Sequence, residues 1–126
     1  MRLKIEFEMD GIIILPYNYR QGLQAFIYSA LGSAESVELH DQEDGLIKPF
    51  VFSNIIGKYS ADEYGIVFEG KCSFYLTSSR FEILNDFYNF CIRNKVLSLF
   101  GNYIALSRIS QVLYKQNDGP INYRTI

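Results

Sequence analysis

The chain has 126 residues, 48% hydrophobic and 21% charged, which suits one domain around a single core and excludes a disordered chain. Its formal net charge is -2, and its 12 Lys and Arg residues are scattered from Arg2 to Arg124, which excludes a polybasic nucleic-acid binder working by charge alone. No stretch reaches the roughly 18 apolar residues of a membrane span, and the alternating start Met1-Arg2-Leu3-Lys4-Ile5-Glu6 lacks a signal-peptide core. The expectation is a cytoplasmic protein with no membrane partner.

In chain order, Arg2 to Met9 places Leu3, Ile5, Phe7 and Met9 on one face, and Ile12 to Leu15 continues the apolar run, so a first strand is predicted that Pro16 closes. Asn18 is a good helix cap. After it, Tyr19 to Leu31 sets Leu23, Phe26, Ile27, Ala30 and Leu31 on one side of a helix, with Gly32 as its stop. Residues Ser33 to Gly45 carry Glu35, Glu38, Asp41, Glu43 and Asp44 around His40 and read as a polar surface segment. Phe50 to Ile56 is a β-rich run between Pro49 and Gly57. The polar stretch Lys58 to Gly65 reads as a turn, and Ile66 to Thr77 as a second strand of the same hairpin, with Gly70 as a bulge.

Ser79 is the expected cap of a second helix, Arg80 to Asn94, whose Phe81, Leu84, Phe87, Tyr88 and Cys91 recur at helical spacing. Val96 to Phe100 and Tyr103 to Ile109 complete the strand material, interrupted at Gly101-Asn102. The order β-α-β-β-α-β predicts an α+β, ferredoxin-like domain in which two helices cover one face of an antiparallel sheet. After the loop-like Asn117-Asp118-Gly119-Pro120, Ile121 to Ile126 reads as an extended segment with nothing to pair with. The expectation is a domain over residues 1–117, with 118–126 a linker and the start of a second ferredoxin-like domain.

Function has to come from a site. Cys72 and Cys91 are nineteen positions apart, outside any C-x-x-C pair, and read as buried reduced thiols. There is no G-x-x-x-x-G-K, G-x-G-x-x-G or G-x-S-x-G pattern, and a single histidine makes no convincing metal centre, so no cofactor or metal is expected. Of the 20 Phe and Tyr residues, core packing is taken to account for all but one or two.

What remains is a constellation around His40. Tyr28 lies about 130° from the middle of the helix's apolar stripe, which predicts a ring leaning toward solvent with its hydroxyl available. Lys48 precedes Pro49, which favours an extended backbone there. A phenol, an imidazole and an ammonium suit cleavage of an RNA backbone without metal: the 2'-hydroxyl loses a proton, the departing 5'-oxygen gains one, and charge builds up around phosphorus. The carboxylates of Glu38 and Asp41 would favour the imidazolium of His40 and bias it toward the acid role. Taken singly, His40 is more often just an exposed histidine, Tyr28 a packing or surface residue and Lys48 a solvated charge.

The runs Leu15-Pro16-Tyr17-Asn18, Leu23-Gln24-Ala25-Phe26-Ile27-Tyr28, Leu39-His40-Asp41 and Lys48-Pro49-Phe50-Val51-Phe52-Ser53 resemble the N-terminal domain of the CRISPR-associated endoribonucleases that process precursor CRISPR RNA, members of the RAMP superfamily. Phe74-Tyr75-Leu76-Thr77-Ser78 and Phe100-Gly101-Asn102-Tyr103 extend the similarity over essentially the whole chain. The resemblance implies a protein of two ferredoxin-like domains that binds a repeat RNA and cuts it without metal, leaving a 2',3'-cyclic phosphate and a 5'-hydroxyl. Its tyrosine, histidine and lysine would correspond to Tyr28, His40 and Lys48. The family's glycine-rich loop, in the second domain, has no counterpart here, so this chain alone is expected to lack much of the RNA grip and to be inactive by itself. The implied partners are CRISPR repeat RNA, a second copy of the chain as a homodimer, and a CRISPR effector complex. Two other readings stay open: a non-catalytic module that binds repeat RNA or scaffolds a ribonucleoprotein, and a generic ferredoxin-like interaction domain. Saturable RNA binding without cleavage marks the former, and no RNA affinity the latter.

Overall fold

The computed structural model of the protein describes residues 2–31, 50–113 and 122–125. Strand β1 (Arg2–Leu15) leads into helix α1 (Tyr19–Ala30); β2 (Val51–Phe52), β3 (Ile56–Ala61) and β4 (Ile66–Thr77) follow, then helix α2 (Phe81–Arg93), β5 (Val96–Leu99), β6 (Asn102–Leu113) and β7 (Asn122–Thr125). The seven strands form one sheet in the order β2-β4-β1-β6-β5, with β3 also on β4 and β7 also on β6, every pair antiparallel. Since β1 and β2 both run against the β4 between them, they are parallel to each other. That is the split β-α-β of the ferredoxin-like fold, as the element order predicted.

The alternation of β1 sends Leu3, Ile5, Phe7, Met9, Ile13 and Leu15 inward, all buried. Register carries the same face across the sheet: Leu3 stands opposite Leu76, Ile5 opposite Phe74 and Ile109, and Ile13 opposite Phe68. Leu23 and Ile27 of α1 and Ile83, Leu84, Phe87 and Cys91 of α2 complete the same core. The helices meet through Phe26, whose ring lies 6.1 Å from those of both Phe87 and Phe90. At 25 cal/mol per Å² or so of apolar area removed from water, rings of this size dominate what holds helices on sheet. Halfway along β1 the ladder to β4 jumps from Glu8–Lys71 to Ile12–Glu69, leaving the surplus on β1; against β3 the ladder jumps from Gly57–Cys72 to Lys58–Glu69, and the surplus on β4 includes Gly70 in a left-handed conformation (φ 72°), the bulge expected there.

Several local expectations are corrected. The run from Phe50 to Ile56 is not one strand: it breaks after Phe52, and β3 continues through Ala61 into the stretch read as a turn. The turn proper is Asp62 to Gly65, where the Asp62 carboxylate accepts the N–H groups of Tyr64 (2.7 Å) and Gly65 (3.1 Å). Pairing with β4 overrides the weak local propensity of Lys58 to Ala61. At α2 the serine that engages the helix start is Ser78, whose Oγ accepts the Arg80 N–H at 3.0 Å, not Ser79; Phe81 is exposed, and Ile83 takes the inward place given to it. Asn18 makes no side-chain cap; α1 opens on backbone bonds from Tyr19 to Pro16 and from Gln21 to Asn18. The extended segment at the end of the chain does have a partner, since Asn122 to Thr125 pairs with Leu113 to Ser110. Cys72 and Cys91 are buried free thiols, as read from their spacing. Among the described residues no helix is long and apolar enough to cross a membrane.

Candidate functional site

Helix α1 and the start of β2 meet in a seam that holds the one described member of the proposed triad. Tyr28 is buried, only 3% exposed, so the solvent-leaning ring expected from the helical wheel is a correction. The wheel accounts for burial against the sheet alone. In the fold, Phe50 covers a second side of the helix, and the Tyr28 and Phe50 rings lie 5.1 Å apart in a tilted pair. His40 and Lys48 lie outside the described residues, as do the acidic residues that flank His40, so their relation to Tyr28 is a matter for proposal. Phe50, two positions after Lys48 in the sequence, is itself buried.

From Phe50 the seam runs back along α1. The Phe50 ring stands 6.3 Å from that of Phe52, and the guanidinium of Arg20 lies 4.3 Å over the Phe52 ring. Arg20 also donates to the Asn54 Oδ1 at 2.8 Å and to the Phe52 carbonyl at 3.1 Å. The adjacent Tyr19 hydroxyl accepts the N–H of Ile55 at 2.9 Å in a buried bond. These bonds from the first turn of α1 satisfy backbone groups of residues 52 and 55, and so explain why the strand breaks between β2 and β3. Tyr19 and Tyr28 are nine residues apart, so the two ends of the seam lie about 13 Å apart along the helix.

At the Arg20 end the seam opens into a hollow of about 360 Å³. Its lining includes Tyr17, Tyr19, Arg20, Asn54, Tyr59 and Phe68. Phe68 is buried and forms the floor, with the Tyr19 ring at 6.1 Å and the Tyr59 ring at 6.0 Å from it. Tyr17 and Tyr59 are 60% and 67% exposed, and the Tyr17 hydroxyl donates to the Asp62 carbonyl of the β3–β4 turn. No residue of this lining was singled out for function by sequence reasoning. The signal lay in Tyr17-Asn18-Tyr19-Arg20, where aromatics alternate with polar groups at a strand-to-helix junction, but Tyr59 and Asn54 join only through tertiary pairing. Among the described residues, six exposed aromatics, Tyr17, Tyr59, Tyr64, Phe81, Phe100 and Tyr103, also exceed the one or two expected.

A second hollow, about 500 Å³, lies on the sheet face away from the helices. Its lining carries Glu6 and Glu8 against Lys71 and Arg108, with Glu8 paired to Lys71 at 3.5 Å. Among the described residues no group of three or more His, Cys, Asp or Glu side chains could hold a metal ion.

Comparison with solved structures aligns the whole chain with several proteins, among them the following three. One is described as a CRISPR associated protein Cas6, at 18% identity and a TM-score of 0.66, with 62% of its own length covered. A second, from Pyrococcus furiosus, is described as the product of a Cas6-related gene, at 17% identity, TM-score 0.71 and 61% of its length. The third is described as a RAMP protein binding different RNA substrates, at 17% identity, TM-score 0.69 and 62% of its length. The chain has the Cas6/RAMP fold. It spans about three-fifths of each of these proteins, and at such identities the likeness is one of fold. The sequence matches no family model and no curated protein. The Cas6-like fold agrees with the resemblance carried by the sequence runs around Tyr28 and Phe50.

Proposed function

We propose that the protein is a metal-independent endoribonuclease that binds CRISPR repeat RNA and cuts it by attack of a 2'-hydroxyl on the adjacent phosphorus. The single observation that most supports this reading is the Cas6/RAMP fold over the entire chain. In this reading residues 1–117 are the catalytic domain and 118–126 lead into a second ferredoxin-like domain. His40 exchanges protons with the reacting oxygens and Lys48 offsets the charge gathering on the phosphate oxygens. Tyr28, held by Phe50, positions the nucleophile or joins in proton transfer. The P–O5' bond breaks as the 2'-oxygen bonds to phosphorus, so the products are a 2',3'-cyclic phosphate and a protonated 5'-hydroxyl.

The test uses the full-length gene product, repeat RNA and a chelator. Cyclic-phosphate product should form, and His40→Ala should slow it by the roughly 10²- to 10⁴-fold typical of losing a proton-transfer group. Unchanged cleavage by that variant would remove His40 from the mechanism, and an absolute need for magnesium would remove the scheme. Tyr28 must be probed as Tyr28→Phe, because Tyr28→Ala deletes a buried ring at a cost of about 3–5 kcal/mol and would confuse folding with chemistry. Saturable RNA binding with no product at all would leave the non-catalytic, repeat-binding reading.

A further inference from the structure

We infer that the hollow between the first turn of α1 and the β3–β4 hairpin is a binding pocket for a single unstacked nucleotide of the RNA, its base against Tyr17 and Tyr59 and its phosphate on Arg20. This inference rests on the RNA-binding part of the proposed function and adds a site about 13 Å along α1 from Tyr28.

Three observations point to that ligand. The volume, about 360 Å³, falls at the small end of the roughly 300–1,000 Å³ of small-molecule sites, which suits one nucleotide and not a duplex. Its walls are aromatic, and two of them, Tyr17 and Tyr59, leave more than half their surface in water although their neighbours Tyr19 and Phe68 are buried. Exposed rings beside a hollow offer the stacking platforms on which single-stranded bases are held. The polar groups have the right sign and are held in place. Arg20 is fixed by Asn54, by the Phe52 carbonyl and by the Phe52 ring, no described carboxylate pairs with it, and its two hydrogen bonds leave three of five N–H donors for an anion. Asn54 uses its Oδ1 on Arg20, while its amide N–H groups have no partner among the described residues and can address a base edge. No acidic side chain lines the hollow, in contrast to the charge-balanced one on the open sheet face.

Stacking on a tyrosine is read by alanine substitution as about a 5- to 150-fold loss in affinity per base. Binding of the full-length gene product to single-stranded repeat RNA is measured by fluorescence anisotropy, and repeat RNAs each carrying one 5-bromouridine are photocrosslinked and the adducts mapped by mass spectrometry. Tyr59 is exposed, so Tyr59→Ala should keep its fold, checked by thermal melting. The pocket predicts adducts on Tyr17 or Tyr59, a loss in that range for Tyr59→Ala, near-native affinity for Tyr59→Phe, and a salt slope lowered by about 0.7–1 for Arg20→Gln. Tight RNA binding that neither Tyr59→Ala nor Arg20→Gln alters, with adducts elsewhere, would overturn the pocket and leave the RNA reading standing. A wild-type protein that binds no RNA at all would overturn the RNA reading, and the pocket with it.

Discussion

Cys91 shows how burial sets the chemistry of one atom. It is wholly enclosed under α2, and burial pushes its thiol from the ordinary 9.0 up to about 12; Cys72 is pushed up for the same reason, by less. The folded state thus prefers the neutral thiol. Its contribution to stability is full below about pH 9 and is lost as pH rises through about 12. Urea unfolding followed from pH 8 to 11 should show the wild type weakening faster than Cys91→Ala, and parallel curves would refute this. Both buried thiols were legible from spacing alone, since isolated cysteines at core-facing positions have few other uses. Tyr28 was misread because its burial depends on Phe50, twenty-two positions on, and no helical wheel contains that neighbour.

Among the elements, the β3–β4 hairpin carries the firmest test. Gly65 has φ 152°, and a Cβ there would sit 2.3 Å from the Leu15 carbonyl oxygen, a backbone atom that cannot step aside. Gly65→Ala should therefore cost about 1–3 kcal/mol, seen as a lower urea midpoint at unchanged slope. A neutral result would mean that the turn relaxes freely. Because Tyr17 bonds to the Asp62 carbonyl of the same turn, the variant should also disturb the aromatic hollow. Long periodic elements such as β1, α1, β4 and α2 could be read directly from alternation or helical spacing. The split into β2 and β3 could not, because it is made by Tyr19 and Arg20 reaching over from another element.

Across the whole molecule, stability is expected to be graded outward from β1, the middle strand of the sheet, which pairs on both sides along Arg2 to Glu8. Its Leu3, Ile5 and Phe7 are all but wholly buried, so amides at 3–7 should be the slowest to exchange with deuterium, opening only with global unfolding. Faster exchange there than in α2 would contradict this gradient. The β-α-β-β-α-β order made the fold legible because split β-α-β units leave few ways to stack two helices on one sheet. Of the proposed site, Tyr28 was legible only as a residue type in order, since its contact with Phe50 is made by topology and not by spacing. The joint at Met9 to Gly11 has one more consequence. A strand that gains a residue ordinarily turns every later side chain inside out, but here the surplus already sits in unmatched backbone, with open space around Gly11. An extra residue spliced in beside Gly11 would leave Leu3, Ile5, Phe7, Ile13 and Leu15 inward, making this kink a natural place to graft a tag or a label into the central strand.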